Sequence, residues 1–208
     1  MKRLERHDWS LKACKEQLLK FDQLLQSDLE LGERAHILPF FRENRDLASF
    51  IGSYVTDIST ADLIAFEYDL FGDFICDLAV GDSRSKAFLL VEFEAARPKS
   101  LFLAGRTRAT PEWSPRLEHG VSQVIDWFWK LSDTEGSDDY EHRFGTKRAA
   151  IDGLVVVGRD QELEPREKAR LWWRQYHTVI NSKKVAVITY DQLLSRMKHR
   201  LQRYPVVP

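Results

Sequence analysis

The sequence predicts an α/β fold, a mixed sheet flanked by helices on both faces. Two observations carry this. Three short apolar, strand-like runs follow one another at Leu63–Leu70, Phe74–Val80 and Phe88–Glu94, close enough to meander. Beyond them, stretches with helical spacing alternate with β-branched runs in the order helix, strand, helix, strand, helix, which is the arrangement that covers both faces of a sheet.

Taken in order, Trp9, Leu11, Cys14, Leu18, Phe21, Leu24, Leu25 and Leu29 recur at helical spacing and predict a helix from Trp9 to Leu31, ended by Gly32. Its opposite face is charged, so it is a candidate for packing on the core or on another copy of the chain. A second helix is expected near Pro39–Tyr54, carrying Phe40, Phe41, Leu47, Phe50 and Ile51 inward. After the three strands, Arg97–Pro115 is rich in proline and cations and reads as a long loop. A helix follows over Pro115–Leu131, and Ser132–Lys147, acidic then basic, reads as flexible. Ile151–Gly158 and Val185–Tyr190 read as strands, Pro165–Ile180 as a helix with proline tolerated near its start, and Asp191 as the cap of a last helix reaching Arg203. The expected organisation is a helical extension over residues 1–33 and one domain over residues 34–208.

Composition narrows the function classes. With 208 residues and 43% hydrophobic content, the chain can bury one substantial core. The net charge of −1 means that nucleic-acid binding, if any, needs a local basic patch. No apolar run is long enough for a membrane span or signal segment, so the expectation is a cytoplasmic chain without a membrane partner. Cys14 and Cys76 sit far apart in apolar patterns and read as core thiols. No glycine-rich phosphate loop and no zinc-type Cys/His spacing is present.

The chemistry-bearing stretch is Asp73-Phe74-Ile75-Cys76-Asp77-Leu78-Ala79-Val80, a turn, then Ala87-Phe88-Leu89-Leu90-Val91-Glu92-Phe93-Glu94. If the loop of this hairpin is Ser83–Lys86, Asp77 lies opposite Glu92, and Glu94 shares the side of Glu92. The other side then reads Cys76, Leu78, Val80, Leu89, Val91 and Phe93, entirely apolar. Acids on an edge strand are often simply solvated, but solvated faces seldom read Ile-Cys-Asp-Leu-Ala-Val. Carboxylates gathered in such surroundings repel one another unless a cation sits among them, and a hard, oxygen-liganded ion such as Mg²⁺ is the natural one.

Two further features bear on this site. In the Pro115 helix, His119 and Gln123 are four apart and share a face that Trp127 continues. The segment after the acids supplies Arg97, Lys99, Arg106, Arg108 and Arg116, five cations within twenty positions, suited to phosphate contacts.

Together these residues resemble the PD-(D/E)XK nuclease superfamily, and within it the Shedu-type domain of bacterial anti-phage defence. The likeness rests on Val91-Glu92-Phe93-Glu94, on Leu101-Phe102 in the basic loop, on Leu117-Glu118-His119-Gly120-Val121-Ser122-Gln123-Val124-Ile125-Asp126-Trp127, and on Val187-Ile188-Thr189-Tyr190-Asp191 leading into Leu193-Leu194. It implies a restriction-endonuclease-like αβββαβ core with an N-terminal helical extension. It also implies a metal-dependent endonuclease acting on DNA, with Mg²⁺, or Mn²⁺ in its place, held by Asp77, Glu92 and the backbone carbonyl of Phe93. Gln123 and His119 would complete the site, and self-assembly is expected from the type.

Glu94 departs from the pattern, because much of the superfamily has lysine there. It would act as general base or as ligand to a second metal. The alternative is a catalytically weak or inactive nucleic-acid-binding or regulatory module on the same fold. A third class is a protein-interaction domain using Trp127, Trp129, Trp172 and Trp173. Glu43, on the helix before the meander, is a looser candidate for approaching the metal.

Overall fold

A computed structural model of the chain describes residues 3–28, 30–103, 110–161 and 163–203. Its centre is a seven-stranded mixed sheet in the order β1-β2-β3-β4-β5-β7-β6. β1 (Glu5–Arg6) pairs with β2 (Leu63–Leu70), and β2, β3 (Phe74–Asp82) and β4 (Ala87–Phe93) form the expected antiparallel meander. β4, β5 (Ala150–Val156) and β7 (Lys183–Ile188) run parallel, and the short β6 (Val179–Ile180) closes the edge.

On one face, α1 (Leu11–Ser27) starts at Ser10, whose hydroxyl accepts from the Ala13 N–H at 3.3 Å. Its buried residues Cys14, Leu18, Phe21 and Leu25 recur at helical spacing and join a core with α2 (Leu38–Glu43), α3 (Arg45–Phe50) and α7 (Tyr190–Leu201). The helix closes at Asp28, short of the expected Leu31, and Trp9 lies before it, donating its indole N–H to the Asp46 carbonyl at 3.0 Å. The single helix expected over Pro39–Tyr54 is instead a π-turn at Glu33–Ile37, then α2, α3 and a 3₁₀ turn at Ile51–Tyr54. The break falls at Asn44, whose side-chain amide donates to the Phe40 carbonyl at 2.7 Å and so competes with helical bonding.

On the other face, α4 (Pro115–Thr134), α5 (Asp138–Phe144) and α6 (Pro165–His177) cover a second core. The expectation of a flexible Ser132–Lys147 is overturned by α5. Ser137 caps it, two aspartates sit at its positive end, and Gly145 closes it at a left-handed φ of 69°. Tyr140 and Phe144, four apart, anchor it in the core. The helix expected to reach Ile180 stops at His177, because Val179–Ile180 turns back through Asn181 and Ser182, both at positive φ, to pair with β7. The cap of α7 is Thr189, whose hydroxyl accepts from the Gln192 N–H at 3.1 Å; Asp191 instead takes the buried Arg159 guanidinium at 3.0 Å. No helix among the described residues is long and apolar enough to cross a membrane.

Two glycines set how closely α4 lies on the sheet. A Cβ on Gly153 of β5 would stand 2.3 Å from Val124 Cγ1, and one on Gly120 of α4 would stand 2.9 Å from Val155 Cγ1. Gly153 lies mid-strand under Val124 and Phe128 and Gly120 lies beside Glu92 and Glu94, so the missing side chains let α4 settle closely on the sheet and onto these acids.

Candidate active site

The β3–β4 hairpin pairs Leu78 with Val91 and Asp82 with Ala87, and the same register carried one step further sets Asp77 opposite Glu92. The turn is held by Asp82, which accepts hydrogen bonds from the backbone N–H groups of Ser59, Thr60, Arg84 and Ser85 and from the Ser59 hydroxyl. The expected apolar side of the hairpin holds for Leu78, Val80, Leu89, Val91 and Phe93, but not for Cys76, which joins the core beneath α4. The cause lies on the neighbouring strand. Glu67, across from Asp77, adopts a left-handed φ of 50°, and the pleat is interrupted between the Phe66–Leu78 and Tyr68–Cys76 pairs.

Asp77, Glu92, Glu94, Arg116, His119 and Gln123 all line one open cavity of about 870 Å³. Each side chain has an identifiable hold. The Phe93 N–H donates to Asp77 Oδ2 at 2.8 Å. The Gln123 side-chain amide donates to Glu92 Oε1, and Arg116 donates to Glu94 Oε2 at 2.9 Å. The Glu94 backbone is fixed from both sides, its N–H donating to Val156 and its carbonyl accepting from the buried Tyr190 hydroxyl at 2.6 Å. Phe93 points its ring to the opposite face, stacked on Phe41 at 4.8 Å, so only its backbone faces the acids.

Burial is the dominant electrostatic fact. It pushes the Asp77 carboxyl up to about 7, against the relief of the Phe93 N–H, with the charges of Glu33, Glu94 and Glu67 adding to the rise. Burial, then repulsion from Asp77, Glu94 and Glu33, pushes Glu92 up to about 9. Glu94 is raised by burial, with Arg116 opposing. For all three acids, burial outweighs the hydrogen bonds and the Arg116 charge that favour the ionised form.

Glu33, Arg34, Arg42 and Glu67 also line the cavity and escaped the sequence reading. Glu67 had a signal, since the β2–β3 register sets it across from Asp77. Glu33 had none, because it starts a one-turn π-helix with no periodicity. Glu43 is not among the lining residues; Glu33 is the acid that this helical region contributes. Of the seven carboxylates that line it, Asp69 and Asp73 are paired with Arg143 and Lys130, and the other five stand against three arginines and one histidine, an excess of acid. Of the loop cations, Arg97 and Lys99 are exposed and outside the cavity lining, while Arg106 and Arg108 lie outside the described residues. Trp127, on the line of His119 and Gln123, is fully buried, and its indole nitrogen has no hydrogen-bond partner among the described residues.

The donor set suits a hard cation. All the candidate donors are oxygens. Among the described residues, no group of three or more His, Cys, Asp or Glu side chains is arranged so that it could hold a metal ion. Asp77 and Glu92 offer two carboxylates, a donor type that a hard cation takes alongside several waters, and not the sulfur and nitrogen set of a structural zinc site.

The family model described as "Shedu protein SduA, C-terminal" matches residues 32–194. The chain belongs to the Shedu family. The matched stretch of this Shedu domain runs from the residue before Glu33 into α7 and contains every side chain of the carboxylate cavity. A search of curated proteins returned no match.

Proposed function

We infer that this Shedu domain is a metal-dependent endonuclease of the PD-(D/E)XK type, hydrolysing DNA phosphodiester bonds in defence against phage or other foreign DNA. The observation that carries the reading is the desolvated trio Asp77, Glu92 and Glu94 in one cavity, held by Phe93, Gln123 and Arg116. A cavity with excess negative charge repels a phosphate until a cation enters it. Asp77 and Glu92 would hold that cation, with the Phe93 carbonyl as a further oxygen ligand. When bound, Mg²⁺ supplies Lewis acidity toward the phosphoryl group and makes water acidic enough to attack near neutral pH.

The remaining work falls to the chain itself. Gln123 fixes the orientation of Glu92, the kind of outer contact that tunes a metal ligand. Glu94 cannot donate charge as a lysine would, but a carboxylate with a raised pKa is a better base near neutral pH and can take the proton of the attacking water. Arg116 places a guanidinium beside it, supplying the positive charge that the third strand lacks. His119 stands one helical turn before Gln123 and lines the same cavity. Cations outside the cavity would contact the phosphate backbone, which carries no base information, so little sequence preference is expected.

The test is cleavage of plasmid and linear DNA in Mg²⁺, Mn²⁺ or EDTA, comparing the wild type with an Asp77→Ala/Glu92→Ala variant. Metal-dependent cutting by the wild type, lost in a folded variant, is the expected result. A folded wild type that binds DNA but cuts no substrate in either metal would move the domain to the binding-module class, with Glu94 as the reason.

A further inference from the structure

The strongest unassigned surface is aromatic and basic, and it lies on α6. Trp172, Trp173 and Tyr176 are 57%, 61% and 52% exposed. Side chains of this size normally bury most of their area, so three together on one short helix call for an occupant. Trp173 lies flat on His177, with centroids 4.8 Å apart and planes 9° off parallel, and it walls a cavity of about 430 Å³ together with Trp113, Arg170 and Arg174. The Arg170 guanidinium stands 4.8 Å over the Trp113 ring, and Arg174 stands 4.9 Å from the same ring.

The chemistry of this wall restricts what it can take. Flat aromatic faces and guanidinium planes accept other flat π-systems, and almost no aliphatic surface is offered for a peptide's apolar anchors. Within α6 the cations Arg166, Lys168, Arg170 and Arg174 stand against Glu167, with Arg174 paired to Glu118 of α4, a local excess of two on a chain of net charge −1. Nucleobases with their phosphates match both features. In a duplex the base faces are covered by stacking, so this platform selects unpaired nucleotides.

Position ties the platform to the carboxylate cavity. Trp113 directly precedes the Ser114 cap of α4, and Arg116 and His119 in the same helix line the cavity. Arg174 grips Glu118, the neighbour of His119, with bonds of 2.6 and 3.1 Å. Three residues span at most about 11 Å, so the backbones of Trp113 and Arg116 are separated by no more than about three nucleotides of a stacked strand. We propose that the Trp173 cavity is a base-stacking site for unpaired nucleotides flanking the bond held at the carboxylates, so that the substrate is DNA with a single-stranded segment. This rests on the nuclease reading for its role in cleavage, though not for the binding itself.

The test uses the full chain in EDTA, where binding is separated from cutting. Fluorescence anisotropy of labelled oligothymidylate and of a fully paired blunt duplex is measured for the wild type, Trp173→Ala, Trp173→Phe and Arg170→Ala. Near-ultraviolet dichroism checks that each variant folds; Trp173 is exposed, so its removal leaves the core intact. Trp173→Ala should weaken oligothymidylate binding roughly 5- to 150-fold, the loss expected for one stacked base, with little change for the duplex. Trp173→Phe should recover most of the loss. Equal oligothymidylate affinity in the wild type and Trp173→Ala, or a wild type that binds only duplex, would overturn the proposal. So would a Trp173→Ala variant that dissociates a dimer in light scattering while binding oligothymidylate as before, since the surface would then belong to a second copy. If the wild type cuts no DNA yet Trp173→Ala loses oligothymidylate binding, the stacking site stands and the nuclease reading falls. If cutting depends on Asp77 and Glu92 while Trp173→Ala binds normally, the reverse holds.

Discussion

Replacing Glu92 by glutamine removes a buried charge while keeping the shape and the hydrogen bond to Gln123, so its effect on stability can be worked from the site. A carboxyl with a higher pKa folded than unfolded binds more protons in the folded state. Its contribution therefore falls as pH rises between the two values. For Glu92 that window runs from its ordinary 4.5 to about 9, and Asp77 adds a window from 3.8 to about 7. At about 1.4 kcal/mol per pH unit, Glu92 alone costs the metal-free fold about 3 kcal/mol by pH 7, and nothing below pH 4. Urea denaturation in EDTA at pH 5 and pH 8 should show the wild type losing stability with pH and Glu92→Gln losing less. Glu92→Gln should be the more stable of the two at pH 8 by about 5 kcal/mol, from the same slope. Added Mg²⁺ should restore the wild type at pH 8 and leave Glu92→Gln nearly unmoved, because only a bound partner of the folded state stabilises it. A variant no more stable than the wild type at pH 8, or one equally stabilised by Mg²⁺, would refute the reasoning that Glu92 is a desolvated acid awaiting a cation.

Other consequences follow from particular contacts. Gln123→Ala leaves Glu92 without its donor and should slow cleavage about 10- to 100-fold with the fold unchanged by circular dichroism; an unchanged rate would make Gln123 a packing residue. In Gly153→Ala the new methyl would stand 2.3 Å from Val124 Cγ1 and 3.0 Å from Phe128 Cζ, so α4 must move by about 1 Å to restore ordinary contact. Stability should drop by about 1–3 kcal/mol, and cleavage by about 100-fold, since α4 carries Arg116, His119 and Gln123 away from the acids. Full activity in this variant would show that the helix position does not matter. Asp82→Ala strips the hairpin turn of an acceptor shared by four backbone N–H groups and should cost about 3 kcal/mol in thermal or urea unfolding. A loss below about 1 kcal/mol would mean that water replaces the carboxylate without strain.

How far the sequence could be read depended on whether a local signal matched a physical constraint. The pairing of Asp77 with Glu92 was legible because a hairpin loop fixes its register, and the gathering of His119 and Gln123 on one side of α4 was legible from helical spacing. The face of Cys76 was not, because it is set by an unusual backbone angle at Glu67 on another strand. Tyr140 and Phe144 were hidden in a charged run, and the start and stop signals of α5, Ser137 with its following aspartates and Gly145, are also those of an ordinary polar loop. The sequence offered Trp127, Trp129, Trp172 and Trp173 for an interaction surface without saying which of them reach it, because each also fits a buried helix face. The structure resolves this, with Trp127 fully buried and Trp129, Trp172 and Trp173 more than half exposed. Glu33 was out of reach because nothing in a one-turn helix says what it faces.

The most direct measurement is calorimetric titration of Mn²⁺ into the wild type and into an Asp77→Asn/Glu92→Gln variant at pH 7.5, each in two buffers of different ionisation heat. The account predicts saturable binding by the wild type with release of about one proton, because Glu92 is held protonated until the cation displaces its proton. The variant should show neither the binding nor the buffer-dependent heat. Equal affinity in both proteins, or binding to the wild type without proton release, would contradict it.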